Sequence, residues 1–191
     1  MRWGFKEEAK RLALDIRAEI GLDAFGPLDP TVLAEAYGIR VYQVSGLAKH
    51  GCARETLDHF AADTRGTFSA ALLPIGTCRI IIENDNHAVT RRRANIAHEM
   101  SHHLLEHEFS AAILGPDGCR DVDPDLEDEA TCLAGELLIP FKATRNLAQR
   151  NATDGEVASR YGVSSRFAAM RMNLSGARKI ARRSQAAGGV R

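Results

Sequence analysis

No stretch of this chain restricts its possibilities more than His98-Glu99-Met100-Ser101-His102, inside the segment TRRRANIAHEMSHHLLEH that runs from Thr90 to His107. A helix turns by about 100° per residue, so positions four apart lie on one face. His98 and His102 therefore point the same way and can offer two imidazole nitrogens to one divalent cation, with Glu99 beside them. Ala94, Ala97, Leu104 and Leu105 recur at helical spacing, Thr90 is placed to cap the start, and neither Gly nor Pro interrupts. The bland alternative is a polar helix that happens to carry histidines. A downstream carboxylate decides between the two.

Two histidines do not complete a catalytic zinc site, which takes three protein ligands and keeps one position for water. The third ligand is best sought on a second rigid element. The acidic start of the segment beginning at Pro124, with Asp125, Glu127, Asp128 and Glu129, offers it. Two His and one Glu would hold a metal that acidifies water, while the Glu following the first His takes the proton and delivers it to a leaving amine. This chemistry is that of a metallopeptidase.

The rest of the chain suits such an enzyme. Its 191 residues predict one main domain, and 45% apolar residues supply a core. The four cysteines, Cys52, Cys78, Cys119 and Cys132, are scattered without a C-x-x-C pair and read as reduced cytosolic thiols. No apolar run is long enough to span a membrane, and the start MRWGFKEEAKRL has no export signal, so a cytoplasmic location is expected. Net charge is zero but uneven: from Lys142 to Arg191 there are eleven Lys/Arg against Asp154 and Glu156. Solvated basic ends commonly look like this, although an anionic partner is also compatible with it.

In order, Phe5 to Ile20 predicts an amphipathic helix through Ala9, Leu12, Ala13, Ile16 and Ile20, and Thr31 to Tyr37 a short helix after Asp29-Pro30. Ile39 to Val44 alternates as a half-buried strand, and Leu57 to Ala62 is expected to form another. Thr67 to Leu73 and Thr77 to Glu83 form a hairpin about Pro74-Ile75-Gly76. An irregular connection, Gly115 to Asp123, leads to a buried helix from Pro124 to about Ile139, ended by Pro140. On it Glu127 and Glu136 need partners. Short helices around Glu156 to Met172 follow, with Gly162 as a turn and Ser164 as a cap, and the end from about Gly176 is expected to fray. The divisions expected are a main domain over 1–150, a small helical segment over 151–175 and a disordered basic tail over 176–191.

RRRANIAHEMSHHLLEH followed by LEDEATCLAGELLIP resembles the ImmA/IrrE family of zinc metallopeptidases, with further likeness at Asp29-Pro30, Leu33-Ala34, Tyr37-Gly38-Ile39 and Ile80 to Asn84. The resemblance covers roughly residues 8 to 175. It implies an α+β, zincin-like (gluzincin) fold: a small twisted sheet, an HExxH active-site helix, a Glu-bearing helix packed on it, and short C-terminal helices. It implies Zn2+, with Mn2+ as a possible substitute, bound by His98, His102 and Glu127, and Glu99 as general base. Family members usually carry Gly at position 101 and Asn or Asp at position 131. Here Ser101 is small enough for close packing, whereas Thr131 is a poorer orienting group for a ligand histidine, a role Asp128 is placed to take. The family also implies a cytosolic helix-turn-helix (Xre-like) repressor or antitoxin-like regulator as substrate, in a stress-response, toxin-antitoxin or mobile-element circuit. Between the two nearest acids, Glu127 and Glu129, helix geometry puts the side chains about 200° apart. The stripe of Leu126, Ala130, Leu133, Ala134 and Leu137 passes beside Glu127, and Glu129 lies on a more polar line.

His103 and His107 are off the metal face and read as surface or orienting groups. His50, His59 and His87 read as solvated. Arg91-Arg92-Arg93 opposes the helix dipole and reads as a solvated helix start or a grip on an anionic partner. The competing function is a DNA-binding regulator with a non-catalytic zinc, since Glu156 to Met172 is spaced like a helix-turn-helix in basic surroundings. A scaffold that only docks and sequesters a regulator is the third reading.

Overall fold

Periodic apolar residues in the N-terminal half build a helix-and-sheet layer that presents one long helix to the rest of the chain. The computed structural model describes residues 1–61, 68–107 and 123–188. Helix α1 (Phe5–Glu19) buries Phe5, Ala9, Ala13 and Ile16. Helix α2 (Pro30–Ala36) starts where the Asp29 carboxylate accepts from the Thr31 N–H at 2.9 Å, with Pro30 at the position that needs no N–H. Strand β1 (Arg40–Gln43) leads through a 3-10 turn (Val44–His50) to helix α3 (Arg54–Ala61), and the hairpin β2 (Ala70–Ile75) and β3 (Cys78–Glu83) completes the sheet. The order is β1-β3-β2, with β1 parallel and β2 antiparallel to the central β3.

Helix α4 (Val89–Leu104) lies against α2, β2 and β3, and helix α5 (Pro124–Leu138) packs between α4 and α1. Leu72 and Ile81 from the sheet, Ile96, Ala97 and Met100 from α4, and Leu133, Leu137 and Leu138 from α5 form the continuous core. Four helices close the fold: α6 (Phe141–Gln149), α7 (Asp154–Tyr161), α8 (Ser165–Leu174) and α9 (Ala177–Gly188). The α7–α8 turn has Gly162 in the left-handed region and the Ser164 side chain accepting from the Phe167 N–H. Among the described residues no helix is long and apolar enough to cross a membrane.

Several local expectations give way. The segment expected as a strand from Leu57 is the helix α3, which turns Leu57 and Phe60, one helical turn apart, toward the protein and pairs Arg54 with Asp58 along its outer side. Its expected end, Ala62, lies outside the described residues, as do Thr67, Cys119 and all but the last residue of the connection expected over 115–123. Pro74 sits in β2 opposite Arg79, and the turn is Gly76-Thr77; an edge strand tolerates a proline because its outer positions need no ladder N–H. Thr90 is not the cap of α4, whose N-cap is Ala88 and makes no side-chain cap bond. Of the end expected to fray, Ala177–Gly188 forms α9, with Ala177 and Ala181 small enough to bring it close to α6, and residues 189–191 lie outside the described residues.

The three arginines at the head of α4 each find an acceptor within the protein, Arg91 at the surface and Arg92 and Arg93 partly buried. Arg91 donates to Ser69 Oγ at 2.9 Å, Arg92 pairs with buried Glu83 at 2.5 Å, and Arg93 donates to the Leu28 carbonyl at 2.5 Å beside Asp29. These acceptors offset the unfavourable dipole and fix the helix to β2, β3 and the start of α2. Glu136 is answered as well: it accepts from the Phe141 N–H at 2.8 Å and pairs with Arg171 of α8 at 2.5 Å. Arg171 also donates to the carbonyls of Gly135 and Ile139, which ties α8 to the end of α5. Replacing Arg171 by Met leaves a buried carboxylate without its cation and should cost about 3–5 kcal/mol. Pairing it with Glu136→Gln, which keeps an acceptor for Phe141, should recover a large part of that loss in urea-unfolding midpoints.

Candidate metal centre

The site lies where the second half of α4 meets the first turns of α5. The Asp123 side chain caps α5 by accepting from the Asp125 N–H at 2.9 Å, and Glu127 falls in the first turn, where the helix dipole favours a carboxylate. His98 Nε2 is 3.0 Å from Glu127 Oε2, His102 Nε2 is 3.2 Å from Glu127 Oε1, and the two Nε2 atoms are 3.1 Å apart. These two histidines and Glu127 are the one group of potential metal ligands that converges among the described residues.

The spacing suits a tetrahedral cation: Zn–N and Zn–O bonds of about 2.0–2.1 Å place neighbouring donor atoms about 3.3 Å apart. The electrostatics suit it too. The imidazoles of His102 and then His98 hold the Glu127 carboxyl far below the usual carboxylate range, so it stays in its ligating form.

Glu99 stands apart from the three donors, buried, with Oε2 accepting from the Leu72 N–H at 2.9 Å. That bond crosses from the helix to the edge strand β2 and fixes the direction of the carboxylate. Ser101, completely buried, returns its hydroxyl proton to the Ala97 carbonyl at 2.8 Å, so the polar group is satisfied within its own helix.

The orienting groups differ from expectation. Thr131 Oγ1 is 3.5 Å from His98 Nδ1, whereas Asp128 is exposed, on the outer side of α5. Glu129 is the more buried of the two nearest acids at 3% exposure, and it does not lie on a polar line. Both acids face the histidine helix: Glu127 reaches the two candidate ligands, and Glu129 reaches His107, which is itself buried against His102. A helical wheel of α5 misses this because the groups around Glu129 come from the distant Arg2 and from residues past the end of α4. His103 turns the other way, 2.7 Å from Arg79 and edge-on to Tyr37.

This geometry separates the two acids experimentally. Glu127→Ala should weaken zinc binding beyond the about 10- to 100-fold typical of groups that only orient a ligand, whereas Glu129→Ala should stay within that range. Competition with a chromophoric chelator measures both.

The comparisons with known proteins agree with the architecture. No curated protein matches the chain. The family model for the IrrE N-terminal-like domain, peptidase M78, matches residues 34–173, from within α2 through α8 and across both helices of the site. With most of its length under that match and a mixed α+β fold around a three-stranded sheet, the chain belongs to the peptidase M78 family, as the likeness to ImmA/IrrE sequences implied.

Proposed function

We propose that this protein is a zinc-dependent endopeptidase, with His98, His102 and Glu127 as metal ligands and Glu99 as general base. The observation that carries the reading is the convergence of two Nε2 atoms and one ionised carboxylate, with a second, separately held glutamate adjoining the first histidine. A zinc ion bound there, or manganese in its place, supplies Lewis acidity that makes water nucleophilic at neutral pH and polarises the scissile carbonyl. Glu99 takes a proton from the attacking water on its carboxylate and hands it to the leaving amine. The Leu72 N–H keeps that carboxylate aimed while it does so. Alternation along β2 places Ala70, Leu72 and Pro74 on the edge away from β3, and an extended substrate segment can add there as a further strand.

The substrate we favour is a cytosolic helix-turn-helix regulator, cut in an exposed or locally unfolded segment, in a stress-response, toxin-antitoxin or mobile-element circuit. The alternative of direct DNA binding draws on the α7–α8 helix-turn-helix. Its second helix is poorly equipped for phosphate: Arg171 is committed to Glu136, and the exposed positions are Ser165, Arg166, Met170, Asn173 and Leu174. One exposed arginine among apolar and neutral groups suits a protein partner better than a nucleic-acid backbone.

Glu99→Gln should abolish hydrolysis while zinc remains bound, because an amide cannot accept the proton and Glu99 is not a ligand. Zinc content and peptide cleavage measured side by side test it, and near-normal turnover would remove Glu99 as the base. For the substrate, a neighbouring helix-turn-helix regulator incubated with the zinc- or manganese-loaded protein should yield discrete fragments by mass spectrometry. A regulator that co-purifies intact would favour sequestration instead.

A further inference from the structure

Beyond the three candidate ligands, a line of polar groups runs from the back of His102 through buried His107 and Glu129 to the exposed Arg2 in the N-terminal segment. His102 Nδ1 is 2.9 Å from His107 Nδ1. His107 Nε2 faces Glu129 Oε2 at 3.8 Å, and both side chains are buried. Glu129 Oε1 accepts from the Arg2 backbone N–H at 2.8 Å, and the Arg2 Nε lies 3.1 and 3.2 Å from its two carboxylate oxygens.

Two imidazole nitrogens attract each other only when one carries the proton and the other offers a lone pair. With Nε2 of His102 committed to a cation, the proton of that ring sits on Nδ1. His107 Nδ1 must then accept, which leaves the His107 proton on Nε2, directed at Glu129. Arg2 in turn holds the carboxylate in place. Every group in the line has one compatible proton arrangement. Burial keeps water from replacing His107 or Glu129, whereas the Arg2 side chain reaches Glu129 from the surface.

The backbone makes a special accommodation for His107. Helix α4 ends at Leu104 with Leu105 as its C-cap, and Glu106 then adopts φ 54° in the left-handed region, where glycine is the usual occupant. The turn lets the His107 N–H donate to the His102 carbonyl at 3.1 Å and folds the His107 ring under that of His102. Among the described residues, His98 by contrast has the longer 3.5 Å approach of Thr131 on its Nδ1.

We infer that His107, Glu129 and Arg2 form a positioning chain that fixes the ring orientation and tautomer of His102 and so sets metal affinity. The inference rests on the reading of His102 as a metal ligand. None of the three belongs to the candidate ligand group, so their effect should appear in binding of the metal itself. His107→Phe, which removes the acceptor, should weaken zinc binding about 10- to 100-fold. His107→Gln, whose amide oxygen can accept from Nδ1–H, should recover much of that loss. Glu129→Gln should weaken binding by a smaller factor.

The decisive feature is non-additivity. Glu129→Gln should have no further effect once His107 is Phe, because Glu129 acts through His107. Zinc affinity by chelator competition, the visible spectrum of the cobalt-substituted protein, and thermal unfolding of the metal-free variants are measured together. Glu127→Ala serves as control. If Glu127→Ala loses zinc while the His107 variants bind like wild type, or if the His107 and Glu129 losses add, the positioning chain is wrong and the metal site stands. Zinc uptake equal in wild type and Glu127→Ala would overturn the metal reading and this one together.

Discussion

One carboxylate spanning two imidazoles is the constraint on which the rest of the structure depends. Glu127 reaches His98 and His102 only if α4 and α5 hold one register and close spacing. The carboxylate is answered by both imidazoles, but holding three polar groups together partly out of water still costs free energy, so the packing around them has to supply the stability. It does so with Met100, Ile96 and Ala97 on one helix and Ala130, Leu133, Ala134 and Leu137 on the other, all essentially removed from water. Alanines at the crossing let the two backbones approach, and the larger residues on either side prevent rotation about it.

Register along the axis is fixed by ions and carbonyls at the ends of the two helices. At the head of α4, Arg92 and Arg93 attach to Glu83 and to Leu28 with Asp29. At the tail of α5, Arg171 gathers Glu136 and the carbonyls of Gly135 and Ile139. Arg17 of α1, fully buried, donates to the Leu137 carbonyl at 2.6 Å and to carbonyls in the loop at Asp23 and Gly26. Guanidinium groups suit this work because their fork of donors meets several fixed acceptors at once and never loses its charge. The helices are therefore clamped at the ends and packed in the middle. The site sits between.

Features set by local rules were legible in the sequence. The fourfold spacing of His98 and His102, the Pro124 start and Pro140 stop of α5, the Asp29-Pro30 opening of α2, the Ser164 cap and the α1 stripe each follow from residues within one or two helical turns. The same spacing set Glu129 on a polar line, and the structure buries it instead. What stayed hidden depends on partners far along the chain. Arg17 looks like a solvated charge at the end of an amphipathic helix until the α5 carbonyl is placed beside it. Glu129 looks polar-facing until Arg2 and His107 close over it. The α3 segment was ambiguous because a short run with two aromatics or leucines fits either period. In α9 the alternation of alanine with arginine resembled a tail, and only the neighbouring α6 surface makes those alanines a packing face.

Leu72 joins substrate placement to proton transfer on the proposed reading. Its N–H is spent on Glu99, so the edge strand and the general base cannot move independently. An extended segment added along β2 would be aligned by positions 70 and 74, on either side of the residue that aims the base. Pro74 removes one donor from that edge, which limits how far such pairing can continue toward the hairpin turn. Strand, base and metal ligands then share a single rigid frame, since β2 and β3 pack on the same helix that carries His98, Glu99 and His102. Such a frame reduces the reorganisation required when a peptide bond enters, which is the form of assistance a packed scaffold can give to hydrolysis.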